Sequence, residues 1–215
     1  MENKFAFDHQ IEGTKDRIDK FVLLSGSARR SELLDFLNPV ISSTEVDERG
    51  IEAHFMEVYK GDDFVTRVAK TCCEISKAKS DIALEENTMY ISADTMVVCD
   101  GQVYNKPKDR DEAAAMFMSY FGKNHYVVTS VCLRMKNYIN VFYTLAELSF
   151  VDYYDCLEGP IREYLDTDTQ MDKAGAYGIQ DLDPRFVRSI CGDIHTIIGM
   201  PVAETCSRIF AGHSV

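Results

Sequence analysis

Two stretches rich in valine, tyrosine, phenylalanine and threonine, residues 125–135 and 140–151, flank Lys136-Asn137. Such runs on either side of a short turn read as a long antiparallel hairpin. Near the start of the chain, by contrast, the apolar run KFVLL (20–24) passes through SGS into a helical stripe of Leu33, Leu34 and Leu37 that stops at Asn38-Pro39. A strand feeding a helix, together with a long hairpin, excludes both a helical bundle and an all-parallel sheet. The expected class is α/β, with a mixed β-sheet flanked by helices.

The remaining elements follow from local signals. A second short strand is expected at 40–43, and the segment STEVDERGIEAH (43–54) reads as a charged loop. A long helix is expected from 63 to about 84, with Phe64, Val68, Cys72 and Ile75 on one side. MYISA (89–93) is a strand that runs into Asp94-Thr95 and continues through MVVC to Asp100-Gly101, a dipeptide that favours a tight hairpin returning through Val103 and Tyr104. Asp109 with Glu112 opens a helix over 110–120 that Gly122 ends. A helix at 161–165, a strand at 186–190, a Gly192-Asp193 turn and a helix after Pro201 complete the reading. Residues 1–19 are read as an N-terminal extension of helical character outside the main architecture, and 20–215 as one domain.

Charge limits the partners. A 215-residue chain with 46% hydrophobic residues has ample material for a core, and its formal net charge of −12 opposes binding to polymeric nucleic acid or to an anionic membrane surface. No run approaches the roughly 20 apolar residues a membrane helix needs, and MENKFAFDHQ lacks the basic start and apolar stretch of a leader. An intracellular, cytoplasmic location is expected. The seven cysteines form no C-x-x-C pair and read as free thiols, and the five histidines show no zinc spacing.

Against that acidic background Arg29 and Arg30 stand out, because they fall in the first helical turn, where cations oppose the helix dipole at a cost of roughly a few tenths of a kcal/mol each. A strand, a small-residue turn and a helix together present N–H groups suited to phosphate or carboxylate, and Ser25 and Ser27 add hydroxyls. Outward pairing with Glu32, Asp35 or another acid explains the arginines equally well. Asp94, at the end of an apolar strand, suits metal binding or proton abstraction from water, and equally suits capping a turn. Asp47 and Glu48 are candidates to share a divalent cation with it. Lys106, held extended before Pro107, is a point charge for phosphate or an ordinary surface lysine. In DKAGAYGIQ (172–180), Gly175 and Gly178 allow close backbone approach, and the amide of Gln180 can both donate to and accept from a base edge. Basic groups beside a separate carboxylate set are what metal-assisted phosphoryl chemistry requires.

These residues resemble the Maf nucleotide pyrophosphatases, relatives of the inosine triphosphate pyrophosphatases. The resemblance runs from about residue 21 to residue 210 through SGSARRSELL, VDE (46–48), ADT (93–95), NKP (105–107), DKAGAYGIQ, and GD followed by IIGMP (192–201). It implies a curved mixed sheet with a central cleft, a homodimer, and hydrolysis of a nucleoside triphosphate to monophosphate and pyrophosphate with Mg²⁺ or Mn²⁺. It implies Asp94 as general base and Glu48 as its acidic partner, both at the metal. Ser25, Ser27, Arg29, Arg30 and Lys106 would bind the triphosphate, and Arg30, Thr95 and Gln180 would select the base. The AGAYGIQ form looks like the branch acting on dTTP and UTP. A non-catalytic nucleotide-binding regulator of septum formation is the alternative the family suggests. Two departures stand out: Ala28 where the family has proline, and Cys72 where it usually offers a lysine toward the phosphates, so that either Lys70 or Lys77 substitutes or one phosphate contact is missing. Replacing either Arg29 or Arg30 is expected to weaken substrate use more than the fold.

Overall fold

The computed structural model describes residues 3–210. Eight strands, β1 (Ala6–Gly13), β2 (Lys20–Leu24), β3 (Val40–Ser42), β4 (Thr88–Cys99), β5 (Gln102–Tyr104), β6 (Asn124–Met135), β7 (Tyr138–Phe150) and β8 (Val187–Cys191), form a mixed sheet in the order β1-β7-β6-β4-β2-β3. β5 adds to β4 and β8 to β7. β2 runs parallel to both β3 and β4, and the remaining pairings are antiparallel. Seven helices flank it: α1 (Ala28–Leu33), α2 (Glu48–Val58), α3 (Phe64–Lys79), α4 (Arg110–Ser119), α5 (Glu158–Leu165), α6 (Ile194–Ile198) and α7 (Val202–Phe210). The expected mixed α/β class is what the chain forms, and the long β6–β7 hairpin and the tight Asp100-Gly101 hairpin lie where residue type placed them.

The central strand organises the rest. Side chains alternate along β4, so Met96 and Val98 pack with Val68, Cys72 and Ile75 of α3, whereas Ile91 and Ala93 pack with Leu34 and Ile209 on the opposite face. Val97, also on that opposite face, joins an aromatic cluster of Phe117, Tyr120, Phe150, Tyr164 and Phe186. β6 pairs with β4 from Tyr90 to Val98 along one edge. On the other edge β2 covers Thr88–Ser92 and β5 covers Val97–Cys99. Residues 93–96 are therefore left between the two partner strands, and a cleft opens there.

Four elements differ from expectation. Residues 6–13 are not helical: they pair antiparallel with β7 as the outermost strand, and Phe7 stacks on Tyr143 with ring centroids 5.0 Å apart. An unpaired β7 edge is a strong template for a strand, and it overrides weak local preference. The charged segment 43–54 is not all loop, because Asp47 caps α2 by accepting the Gly50 N–H at 2.9 Å. Ile51 and Met56 lean on the α3 cluster. The long helix stops at Lys79 rather than near residue 84, where the Ser80 hydroxyl donates to the Lys77 carbonyl at 2.7 Å. Between Asp193, which caps it, and left-handed Gly199 lies the short α6, absent from the sequence reading. All seven cysteines are free, and among the described residues no helix is long and apolar enough to cross a membrane.

Core tyrosines fix the 172–180 loop. The Tyr120 hydroxyl donates to the Gly175 carbonyl at 2.8 Å, that of Tyr164 to the Ala176 carbonyl at 3.2 Å, and Tyr177 meets His125 Nε2 at 2.7 Å. Gly175 has a φ of +74°, and a Cβ there would sit 2.6 Å from the Tyr120 hydroxyl. Gly175→Ala should therefore cost about 2 kcal/mol, seen as a lower urea midpoint at unchanged m-value. Burial pushes the pKa of His125 down to about 3, and its Nδ1 has no partner. The unfolded chain takes up this proton near pH 6.5 while the native chain resists until about pH 3. Stability attributable to His125 is thus full above pH 6.5 and lost as the pH falls toward 3. Denaturant titrations across that range should show the loss, and a His125→Phe variant should show less of it.

Candidate active site

A cavity of about 980 Å³ opens at the β4 gap. Gly175, Lys70, Cys72 and Lys77 do not line it, whereas Ser25, Ser27, Arg29, Arg30, Glu48, Asp94, Thr95, Lys106 and Gln180 all do. They arrive from five places: the turn after β2, the start of α2, the middle of β4, the segment after β5, and the 172–180 loop.

The turn after β2 is held by its backbone. Ser25 N–H donates to the Ser42 carbonyl at 2.8 Å, and Ser27 N–H to Ser25 Oγ at 3.2 Å. Ser27 occupies the cap position of α1 with extended backbone angles, yet its hydroxyl makes no capping bond. The helix is only six residues long, so its dipole is weak and the positive character of this wall comes from the arginines.

The two arginines do different things. Arg30 reaches into the gap: Nη1 donates to the Ala93 carbonyl at 2.9 Å, Nη2 to Thr95 Oγ1 at 3.1 Å, and Nε to the Gly199 carbonyl at 2.8 Å. Burial lowers its pKa and Asp94 is the largest opposing pull, but a guanidinium stays charged in proteins. Arg29 is a third exposed, and its only ion pair among the described residues is a loose one of 3.5 Å to Asp172 on the opposite wall. Neither arginine pairs with Glu32 or Asp35, which disposes of outward pairing with those acids.

The carboxylates face them from α2 and β4. Asp94 is nine-tenths buried; its Oδ1 accepts from Lys79 Nζ at 2.7 Å and its Oδ2 from the Cys72 thiol at 3.5 Å. Lys79 also pairs with Glu48 at 2.8 Å, so one ammonium spans the two acids. Burial, and next Asp94, push the Cys72 thiol well above its ordinary value, which makes it a neutral donor rather than a nucleophile. Asp47, expected with Glu48 as a metal candidate, spends its carboxylate capping α2. Lys70 and Lys77, the expected substitutes for a lysine at position 72, pair instead with Asp62 at 2.8 Å and Glu74 at 3.9 Å. Lys79 is the cation the sequence reading missed. Its spacing of seven from Cys72, two turns on the same helical face, was the available signal.

Two further cations come from the far wall. Lys106 lines the cavity and its side chain makes no hydrogen bond or ion pair among the described residues. Lys173, by contrast, is surrounded by Asp172 at 3.0 Å, Asp181 at 3.5 Å and the Thr169 carbonyl. Among the described residues no three His, Cys, Asp or Glu side chains converge as a self-sufficient metal cage. Asp94 and Glu48 fit the other arrangement, in which a hard divalent cation takes one or two carboxylates and completes its shell with water and ligand phosphates.

The family described as Maf-like protein matches residues 20–211. The dTTP/UTP pyrophosphatase of Bacillus cytotoxicus is 35% identical over 185 residues, covering 86% of this chain and 91% of that protein. The dTTP/UTP pyrophosphatase of Escherichia coli is 34% identical over 184 residues (85% and 88%), and that of Yersinia pestis 36% identical over 186 residues (85% and 88%).

The geometry divides the arginine pair in a way their adjacency does not. Arg29→Ala should leave the melting temperature nearly unchanged. Arg30→Ala strands the Ala93 and Gly199 carbonyls and should lower unfolding free energy by about 2 kcal/mol; thermal melts of the two variants side by side provide the check.

Proposed function

The chain belongs to the Maf-like family, and on that premise we propose that it hydrolyses dTTP and UTP to the nucleoside monophosphate and pyrophosphate. The observation that carries this reading is the convergence, in one cavity, of Arg29 and Lys106 with the Asp94–Glu48 pair. Relatives that match most of this chain bear the name dTTP/UTP pyrophosphatase. The substrate is a free nucleotide, which suits a chain whose net charge of −12 disfavours nucleic-acid polymers.

In this reading the triphosphate lies along the turn after β2, with Ser25, Ser27, Arg29 and Lys106 donating to its oxygens. Arg30 is the strut that sets the depth of the site, and Thr95 and Gln180 stand where a base edge is recognised. Asp94 accepts a proton from the water that attacks the α-phosphorus, while pyrophosphate leaves on the side of the cations. Glu48 provides the second carboxylate. The chemistry a bound Mg²⁺ or Mn²⁺ supplies here is neutralisation of the phosphate charge, with Asp94 and Glu48 holding it. A cytoplasmic homodimer is part of the same proposal.

Purified protein incubated with dTTP or UTP and Mg²⁺ should release pyrophosphate, with no orthophosphate as first product. Asp94→Asn should lower kcat by at least about a hundredfold with the fold intact by circular dichroism. Orthophosphate released first, or full activity in Asp94→Asn, would reject this mechanism, and nucleotide binding without turnover under either metal would reject the enzyme.

A further inference from the structure

One buried cation at the cleft, Lys79, has no part in the scheme above. Lys79 is the last residue of α3, where a cation sits favourably against the negative end of the helix dipole. Thr44 Oγ1 donates to its carbonyl at 2.9 Å and thereby pins the helix end to the β3–α2 connection. The side chain is only 12% exposed, and what exposure it has is toward the cavity. Burial opposes its charge, and Asp94 and Glu48 together outweigh that and hold its pKa above the ordinary lysine value.

Its hydrogen bonding is incomplete in a telling way. An ammonium has three donors, and among the described residues Lys79 donates to Asp94 Oδ1 at 2.7 Å and ion-pairs with Glu48 Oε1 at 2.8 Å. Lys173, in the same cavity, donates to the Thr169 carbonyl and to Asp172 and is ion-paired with Asp181 at 3.5 Å. Arg30 commits Nε, Nη1 and Nη2 donors to Gly199, Ala93 and Thr95. Among the cations on this side of the cavity, Lys79 is both tied to the reacting carboxylate and short of one acceptor.

We infer that Lys79 is a phosphate-binding residue of this site. Its ammonium holds Glu48 and Asp94 together in the free protein, and its third donor takes an oxygen of a triphosphate or pyrophosphate lying against Asp94. Position 72, a neutral thiol facing the same carboxylate from two turns earlier, offers no charge for this task. The cation has been supplied instead from the end of the helix.

This inference rests on the proposed pyrophosphatase reading for its kinetic consequence but not for its binding consequence, and the test separates them. Inorganic pyrophosphate is titrated calorimetrically into wild type, Lys79→Met and Lys79→Arg, and pyrophosphate release from dTTP is measured for each. Lys79→Met should bind pyrophosphate at least tenfold more weakly and lose at least a hundredfold in kcat/KM. Lys79→Arg, which keeps charge and donors, should recover most of the binding. If Lys79→Met melts early, Lys79→Gln, which keeps donors to both carboxylates without the charge, is held to the same thresholds. Pyrophosphate affinity within threefold of wild type in the uncharged variant overturns the inference. A wild-type protein that binds pyrophosphate but cleaves neither dTTP nor UTP overturns the proposed function and leaves the binding comparison to decide on Lys79.

Discussion

The site depends on a break in strand pairing. β4 is flanked continuously by β6 on one edge, but its other edge is shared by β2 and β5 with residues 93–96 between them. A buried backbone carbonyl left without a partner costs on the order of 1–3 kcal/mol, so such a gap persists only if something fills it. Arg30 does so at Ala93, and in the same reach binds Thr95 and the Gly199 carbonyl at the end of α6. The guanidinium stands in for a missing strand, and unlike a strand it leaves the cleft open above it. Because β4 alternates faces, Asp94 points from this gap toward α3 and Thr95 toward α6. Two sides of one strand thereby serve a single cavity.

Charge within the cavity is arranged by the same economy. Buried carboxylates repel one another and lose hydration, so they survive only beside compensating donors. Lys79 compensates Asp94 and Glu48, Lys173 compensates Asp172 and Asp181, and Arg29 leans toward Asp172 across the opening. Lys106 and the loosely held Arg29 remain the cations with the least protein to satisfy them. An acidic chain can thus offer an anion a locally basic wall, and the overall charge of −12 describes its exterior rather than its site.

What was legible in the sequence was local. The turn after KFVLL, the Asp100-Gly101 hairpin, the 125–150 hairpin and the cap at Asp109 are all written in residue type at short range, and the structure forms each of them. Convergence of the singled-out side chains on one cavity followed the motifs, although no single spacing required it. The misses share a different cause. α2 hides because its cap and first turn are charged, so Ile51 and Phe55, four apart, are easily overlooked among acids. Lys79 was lost because the helical pattern was extended to residue 84, which turned a helix-end lysine into one more mid-helix charge. The role of Arg30 as a strut was not readable at all, since its partners are carbonyls from segments 63 and 169 residues away.

The same reasoning applies to the outermost strand, which lies ahead of the family-matched region of residues 20–211. β1 does more than cover an edge. His9 meets Glu74 of α3 at 2.8 Å, Glu74 also accepts the Tyr59 hydroxyl at the end of α2 at 2.9 Å, and Asp8 pairs with Arg208 of α7. α2 begins at Glu48 and α3 ends at Lys79, so the Tyr59–Glu74–His9 junction ties the far end of α2 to α3 five residues before the ammonium that reaches Asp94. Two helices joined at two separate points of α2 have little freedom to pivot. The strand therefore bears on the site geometrically, through the helices, without contributing a side chain to it.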